Sequence, residues 1–525
     1  MDKANFSKDL KRAVSTEDAR KKRNEVSVNI RKNKREEGLR KRRFAMMKPE
    51  PAAPIQGENG STVEEMQPTV ENLPNLNNAM NGSDRATALA ATRAIRKLLS
   101  TPQDPPVQQV VDIGALPKLV QFLQDHSNPA LQFEAAWALT NIGSSDLTFT
   151  IVEAGILPHL VVLLKSPAAD VREQAVWCLG NIAGDKSEFR DMVLTSPGAL
   201  EGLLLNMQNP SGVAMQRNVA WTLSNLCRGK PPTDLSLIQP VLPLFSHTLK
   251  SCEDIETLID VAWACSYVSD GTNERIQALI ELDLCTTLVQ LCKKYRNENV
   301  KVISPVLRTL GNIVTGSDDQ TQAAVNAGLL REIVPLAEHS KQTIRKEACW
   351  TASNITAGTK EQIGAFLAMP KLIETILKCA SNDEWPVKKE AAWVISNVCT
   401  GGAPEHIQCL VEREKAIPVI FDLIKTGDIK INSMLLTALN HILATDPNEY
   451  TILVDECGGL DVLEDLQEVE DEDIYNSAVG IIEKYFGSEE DDENVAPNVA
   501  ETGDSFAFKP TVNNNNNTFS FNITN

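Results

Sequence analysis

Six of the seven tryptophans in this 525-residue chain stand in one recurring context. They open "WALTNIGS" at Trp137, "WCLGNIAG" at Trp177, "WTLSNLCR" at Trp221, "WACSYVSD" at Trp263, "WTASNITA" at Trp350 and "WVISNVCT" at Trp393. In "RTLGNIVT", Arg308 takes the tryptophan's place. Asn141, Asn181, Asn225, Asn312, Asn354 and Asn397 follow four residues later, so on a helix each pair shares a face. A carboxamide both donates and accepts, and a row of them can hold the N–H and C=O groups of an extended peptide whatever its sequence. Indole faces attract lysine and arginine, each cation–π contact contributing ~0.5–2 kcal/mol. Parallel indole walls spaced about 10 Å, a helix-packing distance, would leave slots for the aliphatic stems of those side chains. The predicted ligand is a basic linear segment.

The elements that position these residues are helices. Leu131, Ala135, Ala138, Leu139 and Ile142 form an apolar stripe beside Trp137 and Asn141. Val171, Ala175, Cys178, Leu179 and Ile182 do the same beside Trp177, as do Met215, Val219, Leu223 and Leu226 beside Trp221. The core is accounted for without the tryptophan or the asparagine. A packing role does not require the carboxamide either, because an unpartnered buried one is costly. The intervals between successive motifs are 40, 44, 42, 45, 42 and 43 residues. A second element keeps the same phase, a turn followed by an amphipathic helix, in "DIGALPKLV", "EAGILPHLV", "SPGALEGLL", "NAGLLREIV" and "CGGLDVLEDL". A period of about 40–47 residues built from two or three helices is the signature of armadillo or HEAT repeats. The reading is an all-α, right-handed superhelical armadillo solenoid of about ten repeats over residues 84–487, with the tryptophan–asparagine pairs stacked into a ladder along one surface.

Charge divides the chain. Its net of −19 hides +9 over residues 1–50 and −28 over residues 51–525. The arm 1–50 has too few apolar residues for a core and should be disordered alone, folding on a partner. Residues 51–83, with Pro51, Pro54, Gly57, Gly60, Pro68, Pro74 and Gly82, read as a flexible linker. Its reach of roughly 30 Å lets the arm fold back on the acidic body. The tail 488–525, with "SEEDDE" and "VNNNNNTFSFNITN", reads as disordered. Eleven cysteines between Cys178 and Cys457, with no CxxC pair, read as core residues of a reducing compartment rather than a metal or disulfide framework. No apolar run approaches a membrane span, and no secretory signal opens the chain.

The ladder is interrupted. Tyr267 replaces asparagine after Trp263, and Arg308 puts a positive charge where other repeats would hold a cation. Two binding stretches follow, a larger one at Trp137, Trp177 and Trp221 and a smaller one at Trp350 and Trp393.

The repeats, the WxxxN ladder and the basic arm together resemble importin alpha, from "KKRNEVSVNIRKNKREEGLRKRR" through "EDEDIYNSAVGIIEKYF". The resemblance implies a nuclear import adaptor that shuttles between cytoplasm and nucleus and links cargo with mono- or bipartite basic signals to importin beta. Trp137, Asn141, Trp177, Asn181, Trp221 and Asn225 match the major signal site, with Asp185 pairing the signal's key lysine. Arg308, Asn312, Trp350, Asn354, Trp393 and Asn397 match the minor site, with Glu390 as an acidic partner. Glu256 and Asp270 look like further acidic contacts. Residues 1–50 resemble the importin-beta-binding domain, and Lys41, Arg42 and Arg43 resemble a signal that occupies the major groove when the carrier is absent. The last repeat and acidic tail, with Asp471, Glu472 and Asp473, fall where the family binds its nuclear export receptor; nucleoporins are a further partner. One departure is "NIGSSDLTFT" after Asn141, a shortened turn that puts the contacts around Ser144 and Thr148 in question.

Other classes fit less well. An armadillo scaffold for adhesion or transcription, the alternative, predicts a groove lined with lysine and arginine. A nucleic-acid tether would set an acidic body against phosphate. The six histidines lack metal-ligand spacing and no P-loop, GxSxG or strand-associated GxGxxG is present, so neither an enzyme nor a cofactor is expected.

Overall fold

The computed structural model of the protein describes Ile55 and residues 64–487. The arm with Lys41, Arg42 and Arg43, and the tail from 488, lie outside the described residues. Two compact units divide the chain, residues 1–409 and 410–525.

In the first unit the repeat is three helices. A short helix such as Thr148–Glu153 turns into a second, Leu157–Leu163, and a long third helix follows. The third helices carry the motifs, after α1 (Leu73–Met80): α2 (Arg85–Leu99), α3 (Pro129–Gly143), α4 (Ala169–Asp185), α5 (Val213–Cys227), α6 (Ile255–Ser269), α7 (Val300–Ile313), α8 (Gln342–Thr356) and α9 (Trp385–Gly401). Each from α2 to α8 packs on its successor. Their starts are fixed locally: Asp84, Asn128, Asp254 and Asn299 each accept a hydrogen bond from a first-turn backbone N–H. The recurring turn of the sequence joins the first two helices of a repeat and needs a left-handed residue, Gly114 at φ 77° and Gly155 at φ 76°. Asp283, Lys371 and Lys415 take the same conformation where no glycine stands at that phase. The stripes read from the sequence are the core: Leu131, Ala135, Ala138, Leu139 and Ile142 are buried, as are Val171, Ala175, Cys178, Leu179 and Ile182.

The linker reading fails over part of its length. Residues 73–80 form α1, with Leu73, Leu76 and Met80 buried at i, i+3 and i+7. Pro74, read as a breaker, sits at the start of the helix, where a proline's missing N–H is not needed. The Asn77 carboxamide donates to Ile113 O at 2.7 Å and ties α1 to the next repeat.

All eleven cysteines are free, and eight are buried. Burial pushes the thiols of Cys178, Cys227 and Cys399 up to about 12, so they pack as small apolar groups.

In the second unit, helices Ala416–Ile424, Ile429–Thr445, Pro447–Glu456, Gly459–Asp465 and Glu472–Tyr485 bury Phe421, Leu435, Leu439, Tyr450, Leu463, Ile474 and Ala478. Asp471 caps the last of these helices by accepting the Ile474 N–H at 3.1 Å, and Glu472 and Asp473 fill its first turn. Those three carboxylates thereby favour the positive end of the helix.

Candidate functional site

Five of the six ladder asparagines, all but Asn354, do a structural task that sequence reasoning denied them. The Asn181 amide donates to Thr140 O at 3.1 Å, Asn225 to Gly180 O at 3.0 Å, Asn312 to Ser266 O at 3.0 Å and Asn397 to Ser353 O at 2.7 Å. Every acceptor is the residue just before the ladder position of the preceding repeat. Asn141 reaches Ser100 Oγ at 2.9 Å instead. The row of carboxamides therefore staples successive third helices together, and the view that packing has no use for the amide is corrected. Four of these bonds end on helix carbonyls, which have a second lone pair to offer.

The indoles are more buried than an open ladder would leave them. Trp137, Trp177 and Trp350 are 8%, 6% and 3% exposed, while Trp221, Trp263 and Trp393 are half-buried. Nor are the walls parallel at helix spacing: Trp177 and Trp221 lie 6.3 Å apart between ring centroids, tilted by 60°. The indoles lean along the stack instead of standing upright from their helices. The Nε1 groups of Trp137 and Trp221, Asn181 Oδ1 and Asn354 Nδ2 are buried without a hydrogen-bond partner. Such groups carry unmet bonding capacity along the ladder.

Asp185 is the last residue of α4 and is exposed. Beside it, the Arg228 guanidinium donates to Gly184 O at 2.7 Å and holds the end of that helix. Glu256, Asp270 and Glu390 are half-buried, Glu256 in the first turn of α6, Asp270 just past its end and Glu390 on α9. In the turn after Asn141, Thr148 is fully buried and donates to Gly143 O at 2.9 Å, while Ser144 Oγ donates to Asn141 O at 2.8 Å. Both hydroxyls brace the turn.

Arg308 is not a bare positive charge. It pairs with Glu347 through two bonds of 2.8 and 2.7 Å, and Glu347 stands three residues before Trp350 on α8. The same arrangement precedes the other stretch. Arg96 on α2 donates to Glu134, three residues before Trp137, at 2.8 Å, Arg93 donates to the same carboxylate at 2.8 Å, and the Arg96 guanidinium lies 4.1 Å above the Trp137 ring. Each tryptophan stretch thus begins behind an arginine–glutamate bridge to the preceding repeat. Between the stretches, α6 holds Trp263 stacked on Tyr267 at 6.3 Å and 28°. Sequence reasoning passed over Glu134 and Glu347, although a glutamate three residues before the tryptophan, with arginine one repeat earlier at the tryptophan's phase, is a readable signal.

Comparison with known proteins places this architecture. Residues 7–93 match the importin beta binding domain, residues 103–144, 144–184 and 317–357 match the armadillo/beta-catenin-like repeat, and residues 448–498 match the atypical Arm repeat. Among solved structures, an engineered protein covers 78% of the chain over 98% of its own length, at 26% identity and a TM-score of 0.70. Importin subunit alpha-1a of Oryza sativa subsp. japonica is 41% identical over 501 residues, 93% of each chain. Importin subunit alpha-4 of Arabidopsis thaliana is 42% identical over 499 residues, 92% of this chain and 91% of its own. Probable importin subunit alpha-A of Dictyostelium discoideum is 37% identical over 544 residues, 97% of each. With armadillo repeats, an importin-beta-binding segment and relatives of this identity over nearly its whole length, the chain belongs to the importin alpha family of nuclear import adaptors.

Proposed function

We propose that the chain binds basic nuclear-localisation signals along its tryptophan–asparagine ladder and links them through residues 1–50 to importin beta. The observation that carries this reading is the ladder itself, where each stapled asparagine holds its carboxamide in one orientation and Asn181 keeps an acceptor oxygen unused. A fixed row of amides recognises peptide backbone, and indoles beside it recognise cationic side chains. The net of −28 over residues 51–525 draws basic segments from a distance. Asp185, exposed at the end of α4, is placed to receive a lysine ammonium in the larger stretch, and Glu390 to serve the smaller one. Glu256 and Asp270 extend the acidic lining between them. The bridges at Arg96 and Arg308 mark where each stretch begins, so a single basic cluster fills the larger stretch and a two-cluster signal fills both. Lys41, Arg42 and Arg43 act as an internal ligand of the larger stretch when the carrier is absent. Shuttling between cytoplasm and nucleus, export-receptor binding at the C-terminal repeats and acidic tail, nucleoporins as further partners, and a purely non-enzymatic role complete the reading.

Replacing Trp350 and Trp393 together by alanine should weaken a two-cluster peptide by about tenfold or more and leave a one-cluster peptide within twofold, as the loss of two cation–π contacts predicts. Fluorescence anisotropy with the two labelled peptides reads this. Equal losses for the single cluster would show that the two stretches are not separate sites.

A further inference from the structure

Two glycines on the third helices have no backbone reason to be glycine. Gly180 on α4 and Gly311 on α7 lie inside regular helix and outside the positive-φ set. Glycine there weakens a helix relative to alanine. What each does have is an indole directly above it. A Cβ on Gly180 would stand 2.4 Å from Trp221 Cζ3, 2.9 Å from Trp221 Cε3 and 2.5 Å from Thr222 Oγ1. On Gly311 it would stand 2.2 Å from Trp350 Cζ3, 2.8 Å from Trp350 Cε3 and 3.0 Å from Thr351 Oγ1. Both glycines occupy the position immediately before a ladder asparagine. At that phase the other repeats carry Thr140, Ser224, Ser266, Ser353 and Ser396.

We infer that Gly180 and Gly311 are positioning residues for peptide binding, seats on which the next repeat's indole lies back along the stack. The inference rests on the peptide-binding reading of the ladder. The seat accounts for the tilt of the rings: with no side chain at 180, Trp221 leans over α4 to within 6.3 Å of Trp177. The same residue fixes the other half of the pair, because Gly180 O accepts the Asn225 amide at 3.0 Å. Position 180 therefore touches both members of the last pair in the larger stretch, the indole through its missing side chain and the asparagine through its carbonyl. Gly311 seats the first indole of the smaller stretch. A methyl group at either place drives six-membered ring atoms away from the seat by more than an ångström, since van der Waals contact needs about 3.5–4.0 Å. The indole then projects into the path of the peptide or rotates its face away from the cation.

The test is a double-mutant cycle between positions 180 and 221 in the full-length chain. It is run in a Thr222→Ala background, which removes the hydroxyl that the new methyl would also meet. The probe is a labelled lysine-rich peptide with a single basic cluster, and thermal melting of every variant is followed in parallel. With Trp221 present, Gly180→Ala should weaken the peptide by about tenfold; with Trp221→Ala present, the same change should cost less than about twofold. A loss below twofold with Trp221 in place, or an equal loss without it, overturns the seat. Should Trp221→Ala itself leave affinity unchanged, the ladder reading falls and the seat with it, a pattern distinct from failure of the seat alone. If Gly180→Ala does not melt cooperatively, the cycle is carried by Gly311→Ala and Trp350→Ala in Thr351→Ala, read with a two-cluster peptide.

Discussion

Replacing Glu134 by alanine should lower the stability of the first unit by about 3–5 kcal/mol, the cost typical of removing one partner from a buried ionic cluster. Glu134 is 2% exposed and stands between Arg93 at 8% and Arg96 at 4%. It accepts from both Nε groups at 2.8 Å and from Arg96 Nη2 at 3.4 Å. Removing the carboxylate takes a shared acceptor from two buried guanidinium groups and leaves an empty volume between them. The loss reaches the tryptophan ladder, because Arg96 is the cation stacked on Trp137 and would no longer be held there. Glu134→Gln, which keeps the shape and one acceptor, should fall between alanine and the native residue. Urea unfolding followed by indole fluorescence reads the effect. A loss under 1 kcal/mol for Glu134→Ala would mean that water or a rearranged partner solvates the arginines.

Deleting residues 1–60 should raise affinity for a one-cluster basic peptide, in the absence of carrier, by about tenfold to a hundredfold. A ligand joined to its own receptor is presented at an effective concentration near ~1 mM. An internal segment with an intrinsic Kd of about 10–100 μM then leaves only ~1–10% of molecules open to cargo, and apparent affinity falls by that fraction. Carrier binding to the arm removes the competitor, so importin beta added to the intact chain should recover the same gain, as linkage demands. An intact chain that binds as tightly as the deleted one would leave the arm no inhibitory role. The opposite charges of arm and body, +9 and −28, would then act only on outside partners.

The fold was legible because its signals repeat. Stripes such as Val171, Ala175, Cys178 and Leu179 recur at helical spacing, and the recurring glycine turns fall where left-handed backbone is required. The helix Leu73–Met80 was not legible, since its single turn of leucines is set among Pro and Asn residues that ordinarily mark loops. At the site, the phase of tryptophan and asparagine was visible, but what their atoms do was not. The asparagine bonds cross between repeats some 41 to 46 residues apart, and no periodicity within one helix can reveal them. The indole tilt depends on the absence of a side chain at Gly180 in the preceding repeat, information carried by a neighbour in space. Arg308 alone is a positive charge; with Glu347 against it in the next repeat, it is half of an ion pair.

The measurement that bears most directly on the ladder as a receptor for basic peptides is a titration of a labelled lysine-rich, single-cluster peptide. It compares the arm-deleted protein with the same protein carrying Trp177→Ala and Trp221→Ala. Losing two indole faces and the apolar walls they provide should weaken binding by about a hundredfold, while the melting temperature shows that the repeats remain folded. Affinity within about threefold of the parent, in a folded double variant, would contradict the account.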